Sequence, residues 1–254
     1  MRILLVNPNT TAEVTDLLTT AGRRAAAAGT ELIPVTAPRG VPYIATLAEA
    51  QIGGAIALEM LAAHHGTADA AIIAAFGDPG LFGARELFDT PVIGMSEAAM
   101  LTACMLGRRF SIVTFATALG AWYRDCVEMH GLSARCSSVR CLDEAFATLT
   151  QVQHDKEGLL VDLAGKAVAE DGAEVIILGG APLAGLADKV RDRVAVPLVD
   201  PIAAAVKQAE AIITLNPRKA IAGSFRRPAP KPTTGLPAPL AARIEHRDIP
   251  FAAE

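Results

Sequence analysis

Arg2-Ile-Leu-Leu-Val-Asn-Pro-Asn-Thr10 opens the chain as a short apolar run closed by turn residues, and it returns as Arg109-Phe-Ser-Ile-Val-Thr-Phe-Ala-Thr117. Two further segments repeat in the same order. Ile72-Ile-Ala-Ala-Phe-Gly77 is echoed by Ile177-Leu-Gly-Gly-Ala-Pro182, and Pro91-Val-Ile-Gly-Met-Ser-Glu-Ala-Ala-Met100 by Pro197-Leu-Val-Asp-Pro-Ile-Ala-Ala-Ala-Val206. The displacements, from 2 to 109, 72 to 177 and 91 to 197, are nearly constant. Any strand followed by a polar turn and an Ala-rich helix matches another weakly. A shared offset across three segments instead points to a duplicated α/β unit.

Outward from these segments, β-branched and Leu-rich runs alternate with Ala-rich helical stretches through the first 215 residues. Runs at 3–6, 31–36, 70–74, 92–94, 110–114, 135–140, 175–178 and 198–200 read as strands of parallel sheets. Helices are expected at 10–28, capped by Thr10, and at 47–64, 96–106, 118–130, 156–170 and 202–214. The expected fold is α/β: two pseudosymmetric Rossmann-like halves with parallel sheets and an active-site cleft between them. Residues 1–105 with 202–225 form the first half, 106–201 the second, and 226–254 a Pro-rich extension.

Composition narrows the function. The chain has 254 residues and a formal net charge of -4, with 4% aromatic residues, so it offers neither a basic field nor stacking platforms for nucleic acid. Its apolar runs are shorter than the roughly 20 residues that span a bilayer. The first residues read as a strand, without a small-residue cleavage site. Four cysteines (Cys104, Cys126, Cys136, Cys141) form no C-x-x-C pair. They fit a reducing, cytoplasmic setting and a packing role. The five histidines (His64, His65, His130, His154, His246) share no motif and read as surface residues, not metal ligands.

In parallel sheets, ligands sit beyond the carboxyl ends of the strands. The residues there are Asn7, Asn9 and Thr10 after the first strand, and Ala75, Phe76, Gly77 and Asp78 after the third. Their echoes are Thr114, Phe115 and Thr117, then Gly180 and Ala181. These supply amides, hydroxyls and backbone N–H groups at helix N-termini, where anions are favoured. Singly, the threonines read as helix caps and the asparagines as turn formers. As matched pairs they outline a shared small-anion site between the halves. The Gly77, Gly80, Gly83 spacing does not match a dinucleotide loop, and Gly94-Met-Ser-Glu-Ala98 matches a nucleophile elbow only loosely, leaving Ser96 as an N-cap.

Asn7-Pro-Asn-Thr10, Phe76-Gly-Asp-Pro-Gly-Leu81, Gly94-x-x-Glu-Ala-Ala99, Asp171-Gly-Ala-Glu174 and Asp200-Pro-x-x-Ala-Ala204, over roughly residues 1–225, resemble the hydantoin and allantoin racemases of the aspartate/glutamate racemase superfamily. The resemblance implies two pseudosymmetric halves, a cleft between them and chemistry without pyridoxal phosphate or metal. It also implies two cysteine thiols, one per half, that remove and return a proton on opposite faces of the substrate carbon. Here those positions hold Ala75 and Gly180. A decarboxylase of related fold is implied to use the second thiol alone, which is the position Gly180 takes.

Groups that could stand in are Asp78, three residues along the loop from Ala75, and Tyr43, where the family commonly has a Tyr near the substrate. Glu97 and Asp200 could wall the cleft. The plainer readings are an Asx turn for Asp78 and helix-start roles for Glu97 and Asp200.

The expected function is therefore a cofactor-independent racemase or isomerase acting on a small carboxylate, amino-acid derivative or hydantoin-like ureide. Its site residues would be Asp78 and Tyr43 as catalytic groups and the strand-end set as substrate contacts. No cofactor, metal, nucleic acid or membrane partner is expected, and a homo-oligomer is. The alternatives are a lyase or decarboxylase of the same fold, and a binding protein that has lost thiol chemistry. The extension, with Leu236, Leu240, Ile244, Ile249 and Phe251 as apolar anchors, is expected to dock across a neighbouring subunit.

Overall fold

The computed structural model describes residues 1–143, 149 and 151–248. Strands β1 (Arg2–Asn7), β2 (Glu31–Thr36), β3 (Ala70–Ile73) and β4 (Val92–Gly94) form one four-stranded sheet in the order β2-β1-β3-β4. Strands β5 (Phe110–Thr114), β6 (Cys136–Cys141), β7 (Val175–Leu178) and β8 (Leu198–Val199) form a second in the order β6-β5-β7-β8. Every pairing is parallel, and the two sheets repeat the same topology. The repeated segments are thus β1 and β5, β3 and β7, and the edge strands β4 and β8, each with the turn that follows it, in two equivalent sheets. Ile3, Leu5, Val6, Ile72, Ile73, Val175, Ile176 and Ile177 are all fully buried, as continuous apolar runs require when helices cover both faces of a sheet.

The helices are α1 (Ala12–Ala25), α2 (Leu47–Ala63), α3 (Leu81–Leu87), α4 (Met95–Leu106), α5 (Leu119–Met129), α6 (Val152–Asp171), α7 (Leu186–Val190), α8 (Pro201–Leu215) and α9 (Ala238–Ile244). Local chemistry starts several of them. Thr46 and Glu49 form a reciprocal capping box on α2, with Glu49 N–H donating to Thr46 Oγ1 at 3.3 Å and Thr46 N–H to Glu49 Oε2 at 3.0 Å. Asp200 caps α8 by accepting from Ile202 and Ala203, with Pro201 in the first turn. Asp200 therefore holds a helix start and does not wall the cleft. Thr10 does not cap α1: the N-cap is Thr11, whose N–H donates to Asn9 Oδ1 at 3.0 Å while its hydroxyl donates to Pro42 O.

Two helices cross between the halves. α4 leaves β4 of the first sheet and packs on β7 and β8 of the second, while α8 leaves β8 and packs on β3 and β4. They also pack on each other, and Gln208 Nε2 of α8 donates to Ala98 O of α4 at 2.9 Å. The largest apolar cluster accordingly runs through both sheets.

A second cluster lies on the outer face of the first sheet and includes Ile56, Met60, Leu61, Leu87, Phe88 and Leu240. Leu240 comes from α9, so this part of the extension docks on its own chain. The physical reason is local: α9 lays Leu240 and Ala241 on α2, and Ile244 packs beside them. Arg243, 3% exposed, donates to Leu87 O at 2.6 Å and to Asp89 and Asp248, and its guanidinium lies 5.5 Å from the Phe88 ring centre. Leu236 stays exposed, and Ile249 and Phe251 lie outside the described residues.

Candidate active site between the halves

The turns after β1, β3, β5 and β7 meet where the two sheets face one another and enclose a pocket of about 20 Å³. Of the expected residues, Asn9, Tyr43, Ala75, Phe76, Phe115, Gly180 and Ala181 line it. Ala75 and Gly180 therefore face one cavity, one from each half. Sequence reasoning missed Val14, Ile44, Trp122, Tyr123, Leu149 and Pro182. For Trp122 and Tyr123 a signal existed. They belong to the buried stripe Leu119, Trp122, Tyr123, Cys126, Val127 of α5, which reads as a core face. Because α5 begins beside the second strand-end turn, that face also reaches the pocket.

The remaining expected residues lie around the pocket as supports. Asn7 Nδ2 donates to Asn9 Oδ1, Thr11 O and Thr15 Oγ1 at 3.2, 3.3 and 2.9 Å, which fixes the first turn. Thr10 N–H donates to Val41 O at 3.0 Å. Thr117 is exposed and donates to Leu142 O and Asp143 Oδ1, both at 3.1 Å, and Ala118 takes the N-cap of α5. Thr114 is fully buried beside the Tyr123 phenol. Gly77 N–H donates to Ser96 Oγ, so Ser96 holds a loop instead of capping a helix.

Aromatic rings crowd the Gly180 side of the pocket, where the resemblance implies a thiol. Gly180 has φ +124, and a Cβ built there would lie 2.8 Å from Phe115 Cε1 and 3.5 Å from the Tyr123 hydroxyl. A Cβ on neighbouring Gly179 would meet the Phe76 ring at 3.3 Å. Phe76 packs on Tyr123 at 4.7 Å between ring centres, and Phe115 on Tyr43 at 5.9 Å. Among the described residues, no carboxylate, lysine, arginine or histidine lines the pocket, and its titratable groups are two phenols. Burial raises the Tyr43 phenol, with Glu49 and Cys141 adding to it, and burial likewise raises Tyr123, so both stay protonated.

Asp78 turns out of this pocket. Its carboxylate, fully buried, accepts from Ser96 N–H and Glu97 N–H at 2.8 Å each, at the start of α4. It also bonds His130 Nε2 at 3.1 Å. On the other side of the imidazole, Nδ1 lies 3.5 Å from Glu97 Oε1, and Glu97 is in turn paired with Arg85. His130 is thus not a surface residue: its side chain is 3% exposed. Sequence periodicity places it at the end of α5, where exposure is the rule, and the carboxylates that draw it inward lie far away in the chain.

Burial pulls the imidazole down, but hydrogen bonds with Asp78, Cys126 and Glu97 outweigh it and push His130 up to about 11. Burial raises Glu97, yet bonds with His130 and Arg85 hold it at about 2. The unit is a buried imidazolium between two carboxylates, joining the loop after β3 in the first half to α5 in the second. Among the described residues, Asp78, Cys126 and His130 bring potential metal-ligating atoms within 4.8 Å of one another. These groups satisfy each other, and a cation would have to displace the imidazolium proton.

Comparison with known proteins agrees with this geometry. The family described as Asp/Glu/Hydantoin racemase matches residues 3–209. The chain is 32% identical over 233 residues to the hydantoin racemase of Paenarthrobacter aurescens, covering 91% of this chain and 99% of that one. Among solved structures, allantoin racemase from Klebsiella pneumoniae superimposes with a TM-score of 0.87 at 34% identity, covering 92% of this chain and 96% of that one. Allantoin racemase from Pseudomonas fluorescens gives 0.86 at 34% identity over 92% and 100%. Arylmalonate decarboxylase shares the fold, with a TM-score of 0.57 at 16% identity. With its paired sheets, its inter-half pocket and this match over nearly its whole length, the chain belongs to the Asp/Glu/hydantoin racemase family.

Proposed function

We propose that this chain is an isomerase acting on a hydantoin-like ureide held between the halves, through neutral groups instead of thiols. The observation that carries the reading is the composition of the pocket: it joins Ala75 to Gly180, and among the described residues its polar side chains are Asn9 and the phenols of Tyr43 and Tyr123. Among the described residues a carboxylate buried there would find no cation to pair with, at a cost of several kcal/mol or more, whereas a neutral ureide ring offers amide donors and acceptors that suit an amide and two hydroxyls. The hydantoin and allantoin racemases it resembles support the same ligand class.

Racemisation breaks the bond between the stereogenic ring carbon and hydrogen and re-forms it on the other face, with no change in composition. Ala75 and Gly180 have no side-chain group that can take or give a proton. The groups that remain are the Tyr43 and Tyr123 phenols, protonated by burial, which donate to the carbonyl oxygen as it becomes an enolate, and water, which takes and returns the carbon-bound proton. No cofactor or metal enters this scheme.

The experiment is to incubate an enantiopure 5-substituted hydantoin with the protein in D₂O, following ring-carbon deuteration by NMR and ellipticity together. Loss of both signals at constant heavy-atom composition supports the isomerase. Tyr43→Phe is then expected to slow exchange by roughly 10²- to 10⁴-fold. A decarboxylase or lyase would change the mass beyond deuterium. A second reading, a binding protein, draws on the Phe115 ring that occupies the space beside Gly180. It would show ligand shift changes without exchange, and exchange no faster than in buffer would overturn the isomerase.

A further inference from the structure

The inter-half pocket, about 20 Å³, has room for about one water, which needs roughly 10 to 15 Å³. A five-membered ureide ring does not fit unless a wall moves. Phe76, Phe115 and Tyr123 are poor candidates, because each is 1–3% exposed and embedded in the main apolar cluster. Trp122 differs. It lines the small pocket and also a separate cavity of about 500 Å³ that lies between α2 and α5. The indole is therefore the partition between a filled space and an empty one. It rests on the backbone of Gly77, where a Cβ would come within 2.2 Å of the ring, and so glycine is what lets it lie there. Gly54 and Gly80 also line the outer cavity and pack on each other, a Cβ on Gly54 coming within 2.9 Å of Gly80 N and one on Gly80 within 2.7 Å of Gly54 O.

We infer that Trp122 is the gate of the inter-half pocket: its indole swings into the cavity between α2 and α5, and the space it leaves receives the ligand ring. This rests on the proposed ureide site and adds the residue that controls access and ring size. A side-chain rotation of this kind needs no hinge in either sheet, only a cavity large enough to take the indole, and this cavity is.

Trp122 is the one tryptophan of the chain, so intrinsic fluorescence reports on it alone. Titration of the wild-type chain with unsubstituted hydantoin, followed by emission and by calorimetry, is expected to give a saturable red shift with the same midpoint as the heat. Trp122→Ala, with its fold checked by circular dichroism, should bind hydantoin about tenfold more tightly or better, because no closed population is left to open. Trp122→Phe serves where the alanine variant does not fold and should gain less. Binding by the alanine variant alone also supports the gate. Calorimetric binding to wild type without any emission change, together with unchanged affinity in the variants, would overturn the gate while leaving the ureide site standing. Absence of binding by wild type and variants alike would overturn the ureide site, and the gate with it.

Discussion

Gly180→Cys restores on paper one of the thiols that the family resemblance implies, and the structure makes it the more damaging of the two restorations. Gly180 has φ +124 with ψ 135, a region that residues with a Cβ rarely enter. Forcing one there costs about 1–3 kcal/mol. The new Cβ would also meet Phe115 Cε1 at 2.8 Å, and Phe115, 1% exposed and packed on Tyr43, has little freedom to yield. Overpacking of this kind costs about 1–3 kcal/mol more. The expected loss is therefore about 2–6 kcal/mol, a large share of the roughly 5–15 kcal/mol that holds a domain together.

Ala75 already carries a Cβ and has ordinary backbone, so Ala75→Cys places only a sulfur and is limited to the overpacking cost. Urea unfolding of wild type and both single variants, read by linear extrapolation, makes the comparison, and melting temperatures should follow at about 2–4 °C per kcal/mol. Adding Phe115→Leu completes a double-mutant cycle. The clash should appear as about 1–3 kcal/mol of favourable coupling, with the backbone cost unrelieved. A Gly180→Cys chain as stable as wild type, or as Ala75→Cys, would refute the reasoning.

Stability should depend on pH through the His130 unit. His130 holds its proton up to about 11 in the folded chain against 6.5 in the unfolded one, so its contribution is complete below about 6.5 and fades as pH rises toward 11. Glu97, at about 2 against 4.5, contributes fully above about 4.5 and loses that contribution as pH falls toward 2. Urea midpoints should be highest between these limits and decline on the alkaline side, and His130→Gln should flatten that decline; a wild-type midpoint constant from about pH 6 to 10 would count against it. Arg243→Ala should release the extension, since Leu87 O, Asp89 and Asp248 lose their shared partner. Limited proteolysis within residues 217–248 is expected to speed up about tenfold or more, and unchanged cleavage would mean that Leu240 and Ala241 suffice for docking. Iodoacetamide should leave turnover intact, because burial raises the Cys126, Cys136 and Cys141 thiols and none of these lines the pocket. Inactivation that hydantoin prevents would show a cysteine reaching the site.

The fold was legible because it depends on local repetition. Fully buried strands such as Ala70–Ile73 and Val175–Leu178 are continuous apolar runs, and the turns that follow them carry Gly, Asn, Asp and Thr. The cradle was legible for the same reason, since strand-end turns of parallel sheets converge. What stayed hidden depends on contacts between distant residues. His130 meets Asp78 across 52 positions, and nothing near His130 announces two carboxylates. The destination of the extension was likewise hidden: its apolar anchors reveal that something must cover them, but only the folded chain shows α9 packed on the apolar flank of α2. Asp78 misled because proximity along the loop to Ala75 says nothing about which way a side chain turns. Its φ of +50 swings it toward the start of α4.

These long-range features share one helix face. Trp122, Cys126 and His130 follow one another at four-residue spacing on α5, so they form a single stripe. At one end of the stripe, Trp122 packs on Gly77; at the other, His130 grips Asp78, the very next residue. A loop of the first half is thus held between two points of one helix from the second. The geometry explains how the gate can move without the halves separating: the ionic contact at His130 fixes the helix against the loop, while the indole at Trp122, which makes only van der Waals contact with Gly77, is left as the part that yields. It also explains why Asp78 is unsuited to proton transfer at the ligand. A carboxylate that accepts two backbone N–H groups and an imidazolium is fully engaged in holding the halves in register, and releasing it to do chemistry would loosen the pocket it was meant to serve.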